Sequence, residues 1–303
     1  MGPGTSDLTE PWPAPAKLNR FLRIVGRRAD GYHLLQTMFQ FLDICDYLSF
    51  TPCRDGQIQR QNEISGVAAD DDLSIRAARL LKQVSGIDAG VTIAIDKRLP
   101  IGGGLGGGSS DAATTLVALN HYWQIGLSTN ELAKLGVSLG ADVPVFIHGH
   151  AAWGEGIGDQ LTPVIPDEPW FVVLKPSCTI ATSVIFNDPK LTRDSQPIKM
   201  RDFVGDDAGN DCESVVFERY PAVAAAANWL SHYAKAHLTG TGSCVFAAFL
   251  DKQTAQRALA RLPTGLDGFL ARGCNRSLLQ ERLQRARIAS PDVSDIHWAV
   301  AKW

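Results

Sequence analysis

The sequence predicts an α+β protein of two domains with a ligand cleft between them, on three observations. The chain has 303 residues, 45% of them hydrophobic and 20% charged, an ordinary globular composition at a length where a single core, limited to about 250–300 residues, stops growing. Strand-like and helix-like patterns follow one another in mixed order rather than as a strict strand–helix repeat. The stretch Pro163–Pro169 holds three prolines and two acids, which suits a link between domains better than a helix or central strand. The expected domains are therefore residues 1–163 and 164–303, and clefts of this kind hold ligands.

From Ala16 to Val25 polar and apolar residues alternate imperfectly, and the turn signal Arg28-Ala29-Asp30-Gly31 follows; this reads as a strand and a tight turn. Strand-rich sequence continues from Leu34 to Phe50. Leu73, Ala77, Leu80, Leu81 and Val84 carry helical spacing. Val91 to Ile95 is a strand, Gly102 to Gly108 a glycine loop, and Ala112, Leu116, Leu119 and Trp123 form the apolar stripe of the next helix. Ser128 and Glu131 have capping-box spacing, which starts another helix running toward Gly140. Beyond the link come a strand at Phe171–Leu174, a helix around Pro221–Tyr233, a strand at Ser243–Leu250, a helix at Lys252–Leu262, a short strand near Phe269 and a helical start after Ser277.

The net charge of −3 comes from 29 basic and 32 acidic residues scattered without a basic stripe, which argues against nucleic acid as a partner. Six cysteines lack C-x-x-C pairs and zinc-spaced histidines, so free thiols in a reducing compartment are expected. No apolar run approaches the roughly 20 residues that span a bilayer. The first ten residues are acidic and lack the apolar segment of a signal peptide. A cytoplasmic protein with no membrane partner is the expectation.

Six of the seven residues from Gly102 to Gly108 are glycine, and Ser109-Ser110-Asp111 follow where a helix begins. Glycine removes side-chain bulk and permits positive φ, so backbone N–H groups can converge on phosphate oxygens, and the free N–H groups and dipole of the next helix add attraction. No Gly-Lys-Ser/Thr follows, which excludes a P-loop. About 20 residues on, where a dinucleotide fold needs an acid at a strand end, the chain is still in or leaving a helix. The loop therefore belongs to another phosphate-binding class. The serines can cap the helix, donate to a phosphate or touch its Mg²⁺, and the sequence leaves these roles open.

Pro100 to Ala113, PIGGGLGGGSSDAA, resembles the phosphate-binding motif of the galactokinase, homoserine kinase, mevalonate kinase and phosphomevalonate kinase superfamily. Three other segments agree: Pro15 to His33 (PAKLNRFLRIVGRRADGYH), Ser138 to Gly158 (SLGADVPVFIHGHAAWGEGIG) and Leu238 to Ala247 (LTGTGSCVFA). The first two are similar to the branch whose members phosphorylate a cytidine diphosphate-linked alcohol, and Leu238 to Ala247 resembles the superfamily's third motif. The resemblance runs in family order over roughly Trp12 to Ser277. It implies a two-domain small-molecule kinase, with an N-terminal ribosomal-protein-S5-like α/β domain carrying ATP and a C-terminal ferredoxin-like domain. It also implies a reaction: ATP, with Mg²⁺ shielding charge, phosphorylates the C2 hydroxyl of a cytidine diphosphate-linked methylerythritol in non-mevalonate isoprenoid synthesis.

The same resemblance assigns the site. Pro100, Ile101, Gly102, Gly103, Gly104, Leu105, Gly106, Gly107, Gly108, Ser109 and Ser110 would hold ATP. Lys17 enters as a catalytic residue and Asp142 as the base; otherwise a lysine on a strand is most often solvated and an aspartate after a helix most often forms a turn. Asn19, two residues from Lys17 and on the same strand face, would meet the substrate. Tyr32 and His33 would hold cytosine, with Phe186 stacking on its other face, although composition alone reads Phe186 as core. A different kinase of the superfamily shares the loop but gives no reason for Asn19, Tyr32 and His33. A non-catalytic nucleotide-binding protein gives none for Lys17 and Asp142.

Overall fold

The computed structural model describes residues 10–53, 55–203 and 209–289. The N-terminal half is built on two long strands, β1 (Trp12–Arg27) and β2 (His33–Cys53). They pair antiparallel around a turn in which Gly31 has φ +92° and the Arg28 and Tyr32 backbones bond. β1 is buried along most of its length, so the solvated-face alternative for Lys17 and Asn19 is excluded. β3 (Ile58–Arg60) runs parallel to β4 (Gly90–Asp96), which pairs antiparallel with β2. A short 3₁₀ turn at Ala69–Asp71 precedes helix α1 (Leu73–Ser85), capped by the Asp72 carboxylate and stopped by left-handed Gly86. Its buried face centres on Ile75, Ala78 and Leu81; Val84 is exposed, so the apolar stripe is offset from the expected one.

Helix α2 (Gly107–Tyr122) begins inside the glycine run, two residues before the serines. It is the central helix of the main core, packed against α1, α3 (Thr129–Val137), α4 (Val143–His148) and β1. The Ser128–Glu131 capping box forms as expected, but α3 ends at Val137, where Gly136 meets Val143 too closely for a side chain. Strands β5 (Ala152–Glu155) and β6 (Gln160–Pro163) form a hairpin on β2, and residues 164–169 carry no regular structure.

After this link come β7 (Trp170–Lys175), α5 (Thr182–Phe186), a 3₁₀ turn at Met200–Asp202, α6 (Glu213–Arg219), α7 (Pro221–Ser231), β8 (Ala236–Leu238), β9 (Val245–Phe249), α8 (Lys252–Leu259) and β10 (Asp267–Cys274). The spatial order β10-β7-β9-β8 is the ferredoxin-like arrangement of a β-α-β-β-α-β chain. β10, longer than its sequence pattern suggested, also pairs with β2 and joins both halves into one sheet. Helix α9 (Leu278–Ala289) turns back to the first core through Leu279, Leu283 and Ala286. All six cysteines are free, and among the described residues no helix is long and apolar enough to cross a membrane.

Between the two main cores lies a third cluster, and Leu105 belongs to it with Ala16, Leu18, Phe171 and Phe246. The one side chain in the glycine run is thus an anchor. It fixes the loop at the junction of the two halves, while the glycines on either side keep the backbone bare.

Candidate active site

The loop is held from both sides. Lys17 N donates to Leu105 O at 3.0 Å, Cys244 N donates to Gly103 O at 3.1 Å, and Thr239 Oγ1 donates to Gly104 O at 3.2 Å. The glycines are needed for different reasons. Gly102, Gly104 and Gly106 have φ near +70 to +77°, which side-chain-bearing residues rarely adopt. Gly103 has ordinary φ, but a Cβ there would lie 2.7 Å from Cys244 Sγ. No side chain caps the N-terminus of α2, whose N-cap is Gly106, so its first N–H groups and the positive end of its dipole are available to an anion.

A cavity of about 840 Å³ runs along this loop. Pro100, Ile101, Gly102 to Gly108 and Ser109 line it; Ser110 does not, being fully buried with its Oγ unpartnered. Lys17, Asn19, Asp142, Tyr32, His33 and Phe186 line the same cavity, so the structure brings every sequence-expected site residue except Ser110 to one surface. Lys17, 2% exposed, reaches Asp142 Oδ2 at 3.0 Å. It also donates to Asn19 Oδ1, while Asn19 Nδ2 donates to Thr37 Oγ1 and Asn19 N to Thr239 Oγ1. Strand register explains the first pair: Lys17 and Asn19 share a face of β1. Asp142 comes from 125 positions away, at the start of α4. Its side chain stays 32% exposed, so a buried ammonium holds a carboxylate that still faces the cavity.

Further along, the His33 and Phe186 rings stack with centroids 4.9 Å apart, and Tyr32 is 59% exposed beside them. Rings in direct contact leave no room for a base between His33 and Phe186. Burial first, then the charges of Arg193 and Arg27, lower the His33 pKa.

Sequence reasoning missed a second charged cluster under the loop. Lys97 Nζ lies 2.5 Å from Asp46 Oδ2 and 2.6 Å from Asp111 Oδ2, and Asp46 Oδ1 accepts from the Arg98 and Leu99 backbones. Burial pushes the Asp111 carboxyl up to about 7, against the pull of Lys97 and with Asp46 adding to the rise. Burial also works against the Lys97 ammonium, yet Asp111 and Asp46 outweigh it and raise its pKa. No motif signals this cluster, because its members are scattered charges on a strand, a loop and a helix.

Among the described residues no group of three or more His, Cys, Asp or Glu side chains is arranged to hold a metal ion. Asp111 Oδ1, buried and without a partner, and the Ser109 hydroxyl are the oxygens that the start of α2 offers. So sparse a set fits Mg²⁺, which commonly takes one or two protein ligands and fills the remaining positions with phosphates and water.

Residues 72–150 match the GHMP kinases N terminal domain and residues 197–267 the GHMP kinases C terminal domain. The 4-diphosphocytidyl-2-C-methyl-D-erythritol kinase of Pseudomonas savastanoi pv. phaseolicola is 55% identical over 272 residues, 90% of this chain and 94% of that protein. The enzyme of the same name from Shewanella loihica is 53% identical, over 92% of this chain and 99% of that one. A crystal structure of 4-(cytidine 5'-diphospho)-2C-methyl-D-erythritol kinase superposes with a TM-score of 0.75 at 29% identity, covering 87% of this chain and 99% of that one. A mevalonate kinase structure shares the fold at TM-score 0.66 and 16% identity, over 88% of this chain and all of that one.

Proposed function

The chain belongs to the family of the 4-diphosphocytidyl-2-C-methyl-D-erythritol kinases, and from that premise we propose that it moves the terminal phosphoryl group of ATP to the C2 hydroxyl of 4-diphosphocytidyl-2-C-methyl-D-erythritol through Lys17 and Asp142. It is an ATP-dependent phosphotransferase of non-mevalonate isoprenoid synthesis. One observation carries the assignment of residues: the buried Lys17 ammonium sits 3.0 Å from the Asp142 carboxylate in the cavity that the glycine loop lines.

In this reading the loop's N–H groups and the N-terminus of α2 bind the ATP phosphates. Asp111 and Ser109 would hold Mg²⁺ together with the nucleotide, and the ion would supply shielding of the phosphate charge. Asp142 orients the accepting hydroxyl and takes its proton, a late event where the phosphoryl transition state is loose, as most analyses have it. Lys17 fixes the carboxylate and offsets charge on the moving group. Asn19, locked by Lys17, Thr37 and Thr239, orients the alcohol. Tyr32, His33 and Phe186 recognise the cytosine, remote from the reacting atoms. The free thiols suit a reducing cytoplasm.

The test is phosphoryl transfer from ATP against a panel: the cytidyl alcohol, mevalonate, homoserine and galactose. A new phosphomonoester formed one-to-one with ADP from the cytidyl alcohol is expected. Turnover of another panel member in preference to it would redirect the substrate assignment within the superfamily.

A further inference from the structure

Arg193 lies between α5 and the 3₁₀ turn at Met200–Asp202, in a stretch that crosses from the C-terminal half back onto β1. Its guanidinium makes four hydrogen bonds. Nε donates to His33 Nε2 at 3.1 Å, Nη1 to Leu191 O at 2.9 Å, and Nη2 to Phe186 O at 2.9 Å and Asp188 O at 2.7 Å. The backbone on either side is tied down as well: Leu191 N donates to Asp188 O at 3.2 Å and Ser195 N to Ile24 O at 3.0 Å. The group is therefore fixed in space, and it joins the start of β2, which carries His33, to the end of α5, which carries Phe186.

A guanidinium has only donors. His33 Nε2 must therefore accept, so a neutral ring carries its proton on Nδ1. We propose that Arg193 is a positioning residue that locks His33 in the Nδ1–H tautomer and holds the stacked His33 and Phe186 rings together beside one partner, a pyrimidine base offering an acceptor edge. A ring bearing a donor at Nδ1 matches N3 or O2 of neutral cytosine, both acceptors. The burial of His33 and the nearby Arg193 and Arg27 charges keep the ring neutral, in line with the lowered pKa. Lysine cannot replace the arginine, because one ammonium on a flexible stem cannot meet a ring nitrogen and three carbonyls in the fixed fork geometry. The specificity part of the proposal rests on His33 and Phe186 being the cytosine-holding residues; the tautomer part does not.

The test has two arms. Long-range ¹⁵N–¹H correlation on uniformly labelled protein without substrate, with His33→Gln to assign the ring among the seven histidines, reads the tautomer. Wild type is expected to show a pyrrole-like Nδ1 and a pyridine-like Nε2 for His33, and Arg193→Lys a mixture of tautomers. In steady-state kinetics Arg193→Lys is expected to raise KM for the cytidyl alcohol about tenfold, the scale of one lost hydrogen bond to a charged group, with kcat and the ATP KM within twofold. Arg193→Ala should raise the same KM further. A wild-type His33 with its proton on Nε2 overturns the proposal, and so does Arg193→Lys with wild-type KM. If wild type turns over no cytidyl substrate, the proposed function fails and the tautomer spectrum still decides the role of Arg193.

Discussion

Replacing Gly106 by alanine adds one carbon to the loop where it passes Phe146 and Lys17. Its φ is +72°, and an added Cβ would lie 2.8 Å from Phe146 Cζ and 3.0 Å from Lys17 Cε. Left-handed backbone costs a residue with a side chain about 1–2 kcal/mol, and overpacking against a wholly buried Phe146 adds about 1–3 kcal/mol. Phe146 sits in the main core and Lys17 is tied to Asp142 and Asn19, so the loop must move instead, into the space assigned to phosphate. Losing one charge-assisted hydrogen bond costs about 1.5–3 kcal/mol, so ATP affinity should fall roughly ten- to a hundredfold. Gly126→Ala is the control: its φ is +79°, yet nothing lies within 4 Å of the added carbon. Denaturant unfolding should show both variants destabilised, Gly106→Ala more so, while calorimetry should show normal ATP binding by Gly126→Ala only. Gly106→Ala that binds ATP within twofold of wild type would refute the assignment of the loop.

Two further outcomes follow from the same site. Phe186→Ala should raise KM for the cytidyl alcohol by roughly ten- to a hundredfold with little change in kcat, since stacking is worth about 1–3 kcal/mol per base and lies far from the reacting hydroxyl; an unchanged KM removes Phe186 from the site. Lys97→Met leaves the Asp46 and Asp111 carboxylates facing each other without their shared ammonium, and breaking such a buried pair costs about 3–5 kcal/mol. Urea unfolding within 1 kcal/mol of wild type would show that the cluster does not hold the start of α2.

Much of this molecule is legible in its sequence because the signals are local. The glycine run, the Ser128–Glu131 box and the β-branched Val91–Ile95 segment each declare their structure within a few residues. Helix α4 did not: Val143 to Ile147 is wholly buried, so it has no polar face and no period to read. Short elements such as β8 and α5 carry too few residues for a pattern. Lys17 and Asp142 were recognisable only through motifs, since the geometry that joins them spans 125 positions. Arg193 and the Lys97 cluster were invisible for the same reason without a motif to mark them. An arginine in an irregular stretch reads as solvated until the fold shows three carbonyls and an imidazole around it.

The central claim is that Lys17 and Asp142 act together on the accepting hydroxyl. It is tested most directly by rapid-quench single-turnover rates for Asp142→Asn, Lys17→Ala and the double variant, with calorimetry confirming that each binds both substrates. Positioned acid–base catalysis is worth about 10²–10⁴-fold, so each single variant should lose rate on that scale, and the double should be little slower than the poorer single because the residues act as a unit. Near-normal turnover by Asp142→Asn, or losses that multiply in the double variant, would contradict it.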